Sequence, residues 1–187
     1  MYNALAMGKA WAVKNPVITA CLQVVLGANL VALMAQISIP TPFVAITGQS
    51  LAVLLIGFAL GYKKAGMAMM LYLIEGAMGL PVFAMGRAGL PVLLGPSGGY
   101  LFGFVLMAMI LGFASDKGVL KSSPKSVLVA VFATTVMYVC GLVQLSLFVP
   151  SDKVLAFGLY PFIVGDLIKA YLACVMMKPA LEFFEKL

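Results

Sequence analysis

Apolar residues run along this chain in long blocks that are broken at intervals by clusters of proline, glycine and charge. The blocks predict helices at about 16–37, 47–62, 65–80, 126–149 and 157–177, with a further one that opens near Gly98 to Tyr100 and reaches 114. Pro16 suits a helix start, where its missing N–H costs nothing. Pro40 and Pro42 cannot continue the first helix, yet the stretch Ser38 to Phe43 is apolar, so it reads as a re-entrant or capping loop packed on protein. Thr47 is a plausible cap for the second helix, Lys63-Lys64 turns it into the third, and Pro81 stops that one. A Gly- and Pro-punctuated loop from Val82 to Pro91 holds a single Arg87. Ser115 to Lys125 is the most polar loop, and Pro150 to Lys153 closes the fifth helix.

Of the 187 residues, 64% are hydrophobic and 10% charged, and the mean hydropathy is +1.13. Soluble domains lie far from this balance. About 20 apolar residues cross a hydrocarbon core of about 30 Å, so the fold class expected is an all-α integral membrane protein, one domain over 1–187 with six transmembrane helices. No cleavable signal is expected, because no small-residue cleavage site follows a short apolar segment. Cys21, Cys140 and Cys174 sit in apolar runs as small hydrophobes. The chain contains no histidine, which weighs against a metalloprotease or a His-based hydrolase.

Charge then orients the spans. With both termini cytoplasmic, Lys9, Lys14, Lys63, Lys64, Lys117, Lys121, Lys125, Lys178 and Lys186 gather at inner ends, and only Arg87 and Lys153 lie outside. Such asymmetry is the expected orientation signal. The remaining basic residue, Lys169, lies inside the last helix three residues after Asp166, on the same face. Ionised groups near the midplane cost about 2.5–3.5 kcal/mol each on an insertion scale and are functional by default. Counting about 1.5 Å per residue puts Asp166 and Lys169 about 7 and 12 Å below Pro161, and Glu75 at a similar depth below Leu80. Four ionisable groups, with Arg87, are thus expected near the outer half of the membrane. They could neutralise one another as a structural girdle. Alternatively they line a pocket in which Asp166 accepts N–H donors, Lys169 or Arg87 holds a carboxylate, and Tyr100, Phe43 and methionines wall the apolar part.

Several blocks carry a resemblance: Pro40-Thr41-Pro42 with Ile46 to Leu54, Gly76 to Phe83, Leu94 to Phe104, and Gly165-Asp166 with Lys169. In that order they are similar to the BioY family, the biotin-capturing S components of energy-coupling-factor transporters. The resemblance implies a site near the outer face, with Asp166 on the ureido ring of biotin and Lys169 in the same pocket; Gln49 lies in a resembling block and joins the expected site. Glu75 and Arg87 are not implied by it. It also implies a partner coupling protein and two ATPase subunits. ATP would be used only by those subunits, since the chain has no phosphate-binding Gly-x-x-x-x-Gly-Lys-Ser/Thr loop, and no cofactor is expected here beyond biotin as cargo. Ala28 and Ala32 form a small-xxx-small pair, which is either an internal helix contact or, as expected here, the docking face for the coupling protein. Loading is expected to close the loop from Ile37 to Ala45. A stand-alone proton-coupled carrier using Glu75 or Asp166 is the second reading, although no inverted repeat is evident. An enzyme built on Ser97 and Lys169 is a third, unsupported by spacing.

Overall fold

The computed structural model describes residues 13–121 and 123–185; Lys9 and Lys186, counted above among the inner lysines, lie outside them. The described chain is nearly all helical. In order come α1 (Pro16–Gln36), two short strands β1 (Ser38–Ile39) and β2 (Ile46–Thr47), α2 (Gln49–Ala77), a 3-10 turn (Ala84–Gly86), and α3 (Leu90–Leu94). Then follow α4 (Gly98–Asp116), a second 3-10 turn (Val119–Lys121), α5 (Ser123–Leu145), α6 (Val154–Gly158) and α7 (Tyr160–Glu185). Five of the helices, α1, α2, α4, α5 and α7 (the last together with α6), are long and apolar enough to span a membrane. The loop after α1, expected to be irregular, closes as a small antiparallel ladder in which Ser38 faces Thr47 and Ile39 faces Ile46. The last helix runs past its expected end at 177, because Pro179 is accommodated within it.

α2 contains both the second and the third predicted helices. At Gly61 the backbone leaves helical geometry (φ 75, ψ 172), a region that glycine enters at little cost. A straight helix would put Gln49 about 35 Å from Tyr72, yet Gln49 Nε2 donates to Tyr72 Oη at 2.6 Å. The chain therefore doubles back, and residues 49–60 and 62–77 form two antiparallel limbs, which gives six long helical limbs among the described residues. The break falls at Gly61, two residues before the lysine pair, and Lys63 and Lys64 lie in the first turn of the second limb. That limb starts with an orphan backbone donor, and Asp116 from the end of α4 satisfies it, its Oδ2 accepting the Tyr62 N–H at 2.9 Å.

The limbs pack because small residues face one another. On α1 the buried positions Val24, Gly27, Ala28, Val31 and Ala35 recur every three or four residues and form one stripe, while Val17, Ile18, Leu26 and Leu33 on the other side are exposed. Gly27 lies over Ile56, Leu60 and Ala68 of α2. The docking expectation is corrected for Ala28, which is fully buried within the chain; Ala32 is half-buried against the same core. Gly27 on the same stripe serves the approach of α2, and Ala28 offers no free surface to a partner, while Ala32 keeps part of its surface exposed.

At the reversal a Cβ added to Gly112 of α4 would sit 2.5 Å from the Gly61 carbonyl carbon and 2.6 Å from the Tyr62 nitrogen. Backbone cannot yield there as a flexible side chain could. Gly112→Ala is expected to destabilise the fold by about 1–3 kcal/mol through overpacking, seen as a lower midpoint of thermal unfolding in detergent. An unchanged midpoint would contradict the close passage of α4 across the reversal.

Candidate functional site

Asp166 lies on α7 and is buried, at 7% exposure. A carboxylate taken out of water must be paired and hydrogen-bonded, and here three elements supply the partners. Oδ1 accepts from Ser50 Oγ at 2.7 Å and from Lys169 Nζ at 3.0 Å. Oδ2 accepts a short hydrogen bond from Tyr138 Oη of α5, at 2.5 Å. Lys169, one turn along α7, also donates to the Thr47 carbonyl at 2.8 Å and to Ser50 Oγ at 3.0 Å. All three ammonium donors therefore have acceptors, and Ser50 passes a hydrogen bond in each direction. Desolvating two ions costs several kcal/mol each, which the mutual attraction offsets only when the remaining donors and lone pairs are also satisfied.

The start of α2 is what brings Ser50 and Thr47 to this pair. Thr47 Oγ1 accepts the Gln49 N–H at 3.2 Å and so satisfies an orphan donor, while the helix N-cap position itself is Gly48. The same hydroxyl donates to Gln49 Oε1 at 3.0 Å. Gln49 is in turn held by Tyr72, whose hydroxyl donates to the Val82 carbonyl at 3.2 Å. The polar opening of α2 is thus fixed to the second limb and to the loop beyond it.

A cavity of about 590 Å³, its open mouth included, lies over this network. Asp166, Lys169, Ser50, Gln49 and Tyr138 line its polar side; Leu101, Phe104, Met137 and Phe162 supply apolar wall; and Val44, Ala45, Phe83, Ala84 and Arg87 come from the loops that cover it. Those loops are tied down. Gln36 at the end of α1 donates to the Phe83 carbonyl at 3.2 Å and accepts the Gly86 N–H at 3.0 Å. Ser97 Oγ donates to the Phe43 carbonyl, and the Phe43 ring lies 5.1 Å from that of Phe157.

Five of the six expected site residues therefore line one cavity: Asp166, Lys169, Arg87, Tyr100 and Gln49. Tyr100 donates to the Gly158 carbonyl at 2.8 Å and meets the Tyr138 ring edge-on, 6.4 Å between centroids. Arg87 is exposed at the rim, and its Nε donates to the Ala84 carbonyl at 3.2 Å. Glu75 is not among the lining residues and forms no ion pair among the described residues. Glu75 lies instead beside the buried stripe of Met69, Tyr72, Leu73 and Gly76 on its limb. The convergence of four charges is corrected to a closed pair, Asp166 with Lys169, and a rim arginine. Sequence reasoning did not assign Ser50 or Tyr138, although Ser50 adjoins Gln49 and Tyr138 is conspicuous in an almost uncharged helix.

Beyond the Asp166 and Tyr138 contact, an apolar groove of about 790 Å³, its open side included, runs between α5 and α7, lined by Val131, Val139, Ile163 and Leu167 among others. Both polar residues border it as well as the covered cavity. The arrangement can present one carboxylate, one ammonium and several hydroxyls to a compact molecule with N–H donors, within an otherwise apolar enclosure.

Comparison with known proteins bears on the chemistry. The model of the BioY family matches residues 7–186. The chain is 38% identical over 148 residues to the biotin transporter BioY of Thermotoga maritima, covering 79% of this chain and 86% of that protein. It is 35% identical over 142 residues to a probable biotin transporter BioY of Pyrococcus horikoshii, covering 76% and 83%. Among solved structures it is similar to the S component for biotin from an ECF-type ABC transporter, with a TM-score of 0.80, 25% identity, and coverage of 90% of this chain and 93% of that one.

If the Asp166 carboxylate depends on its neighbours, removing a donor leaves a buried acceptor short of one partner. Ser50→Ala and Tyr138→Phe are each expected to cost about 1–3 kcal/mol of stability, read as lowered thermal midpoints. Midpoints equal to that of the parent protein would show that the network is not closed as described.

Proposed function

The chain belongs to the BioY family, and from that premise we propose that its covered cavity captures biotin for uptake across the cell membrane. It is a multi-pass membrane transport subunit and not an enzyme. The observation that carries the ligand assignment is the buried carboxylate of Asp166 facing an apolar cavity with its own hydrogen bonds already directional. A carboxylate has about four lone-pair sites. Ser50, Lys169 and Tyr138 occupy three, so one remains for an N–H donor. The ureido ring of biotin has two N–H donors and a carbonyl. One of those N–H groups fits the remaining lone-pair site of Asp166.

The apolar bicycle would rest against Phe104, Met137 and Phe162, where burial contributes about 25 cal/mol per Å². The valerate carboxylate would point to the mouth. Arg87 suits it there, being at the rim with a planar fork that matches a carboxylate, while Lys169 is already shared among Asp166, Ser50 and Thr47. The loops around Val44 and Phe83 cover the cavity and would have to part for entry.

Transport inward would use energy supplied elsewhere, from a coupling protein and two ATPase subunits of the ECF type, with both termini of this chain on the cytoplasmic side. The lysine distribution supports that orientation: Lys63, Lys64 and Lys117 collect around one recess, remote along the limbs from Arg87 and the cavity.

Calorimetric titration of biotin into the purified protein and into Asp166→Asn tests the assignment. Loss of a charged acceptor to the ring is worth about 1.5–3 kcal/mol, so binding is expected to weaken by at least about tenfold. Affinity equal to that of the parent would remove Asp166 from ureido recognition.

A further inference from the structure

The end of the bundle opposite the cavity holds a polar feature that biotin capture does not use. α1 begins at Pro16, but the α2 reversal reaches down only to the level of Gln23: Lys64 Nζ donates to Gln23 Oε1 at 2.7 Å, and Leu60 lies over Gly27. Seven residues of helix correspond to about 10 Å. The reversal is therefore recessed by about that depth relative to the start of α1. α4 comes to the same level, since Gly112 touches Gly61 and Asp116 caps Tyr62.

Between the reversal and the end of α4 lies a recess of about 750 Å³, its open side included, lined by Tyr62, Lys63, Lys64, Phe113, Asp116 and Lys117 among others. Its one carboxylate is held by a backbone N–H. Among the described residues, none of its three lysines forms an ion pair. Tyr62 and Phe113 pack edge to face with centroids 6.4 Å apart, and Lys117 Nζ lies 5.5 Å from the Phe113 centroid. Aromatic rings beside ammonium groups, set back from the end of a spanning helix, are placed at the depth of lipid headgroups. Excess positive charge at that depth is attracted to anionic lipid.

We propose that this recess binds the phosphate of an anionic phospholipid from the leaflet bordering that end of the bundle, with Lys63, Lys64 and Lys117 as its ammonium donors. A phosphate set at headgroup depth meets these donors directly. An acidic protein segment would have to enter the membrane boundary to do the same.

The test uses the full chain in vesicles of equal phosphatidylglycerol and phosphatidylcholine, followed by mass spectrometry of the lipids retained on the released protein. The parent is expected to retain phosphatidylglycerol over phosphatidylcholine by at least about tenfold, because each lysine near the surface contributes about fivefold. The combined variant Lys63→Gln, Lys64→Gln, Lys117→Gln is expected to retain the two nearly equally, with thermal unfolding reporting that it folds. If it does not fold, Lys117→Gln alone is expected to reduce the preference by about fivefold. An undiminished preference in the folded variants overturns the proposal. Loss of retained phosphatidylglycerol from the parent when inorganic phosphate is added in excess would identify free phosphate as the ligand and overturn the lipid source. Unchanged lipid retention with lost assembly of the ATPase partners would make the recess a protein contact and likewise overturn it.

Discussion

A charged pair taken out of water must find every partner inside the protein, and in this chain that constraint joins the helices that build the site. Asp166 and Lys169 stand one turn apart on α7, but their remaining hydrogen bonds come from Ser50 and Thr47 at the start of α2 and from Tyr138 on α5. None of these three elements could shift by a turn without leaving a buried ion unpaired. The loops that cover the cavity inherit their positions from the same neighbourhood: the β1 and β2 ladder ends at Thr47, and the Gln49 to Tyr72 bond continues to the Val82 carbonyl.

The reversal at Gly61 makes this possible. Because α2 doubles back, its first residues and its last lie at the same end of the bundle, so the loop before Gln49 and the loop after Ala77 meet over one cavity. The consequence at the other end is a recessed turn, tied to α4 by Gly112 and Asp116, where three lysines gather. One glycine thus separates a ligand-facing end from a lysine-bearing end. The apolar groove between α5 and α7 brings the membrane close to the Asp166 and Tyr138 contact, which raises the demand that both polar groups be satisfied.

Much of the fold was legible because spanning helices announce themselves by length and apolarity, and prolines at 16, 40, 42 and 81 mark where they start or stop. The pairing of Asp166 with Lys169 was legible from a three-residue spacing. Rotation about a helix was not. Glu75 lies beside the buried stripe, and in a limb that is apolar nearly all round no periodicity fixes which way position 75 points. The pair Ala28 and Ala32 shows the same limit, since a thin helix face looks alike whether it meets α2 or another chain. Ser50 and Tyr138 carry single hydroxyls whose roles depend on a carboxylate 116 and 28 residues away, a relation that only the tertiary structure supplies.

The central claim is that the buried pair that joins these helices is also what the ligand meets. Buried ion pairs replaced whole by apolar residues of similar volume often leave a fold equally stable or more so, whereas a lone remaining ion is strongly destabilising. The decisive measurement is therefore the thermal midpoint and the biotin affinity of the double variant Asp166→Leu, Lys169→Met, taken together. The account predicts a variant that still folds, its midpoint lowered by no more than the lost partners of Ser50 and Tyr138 cost, about 1–3 kcal/mol each, with biotin binding abolished. A collapsed midpoint, or biotin bound as tightly as by the parent, would contradict it.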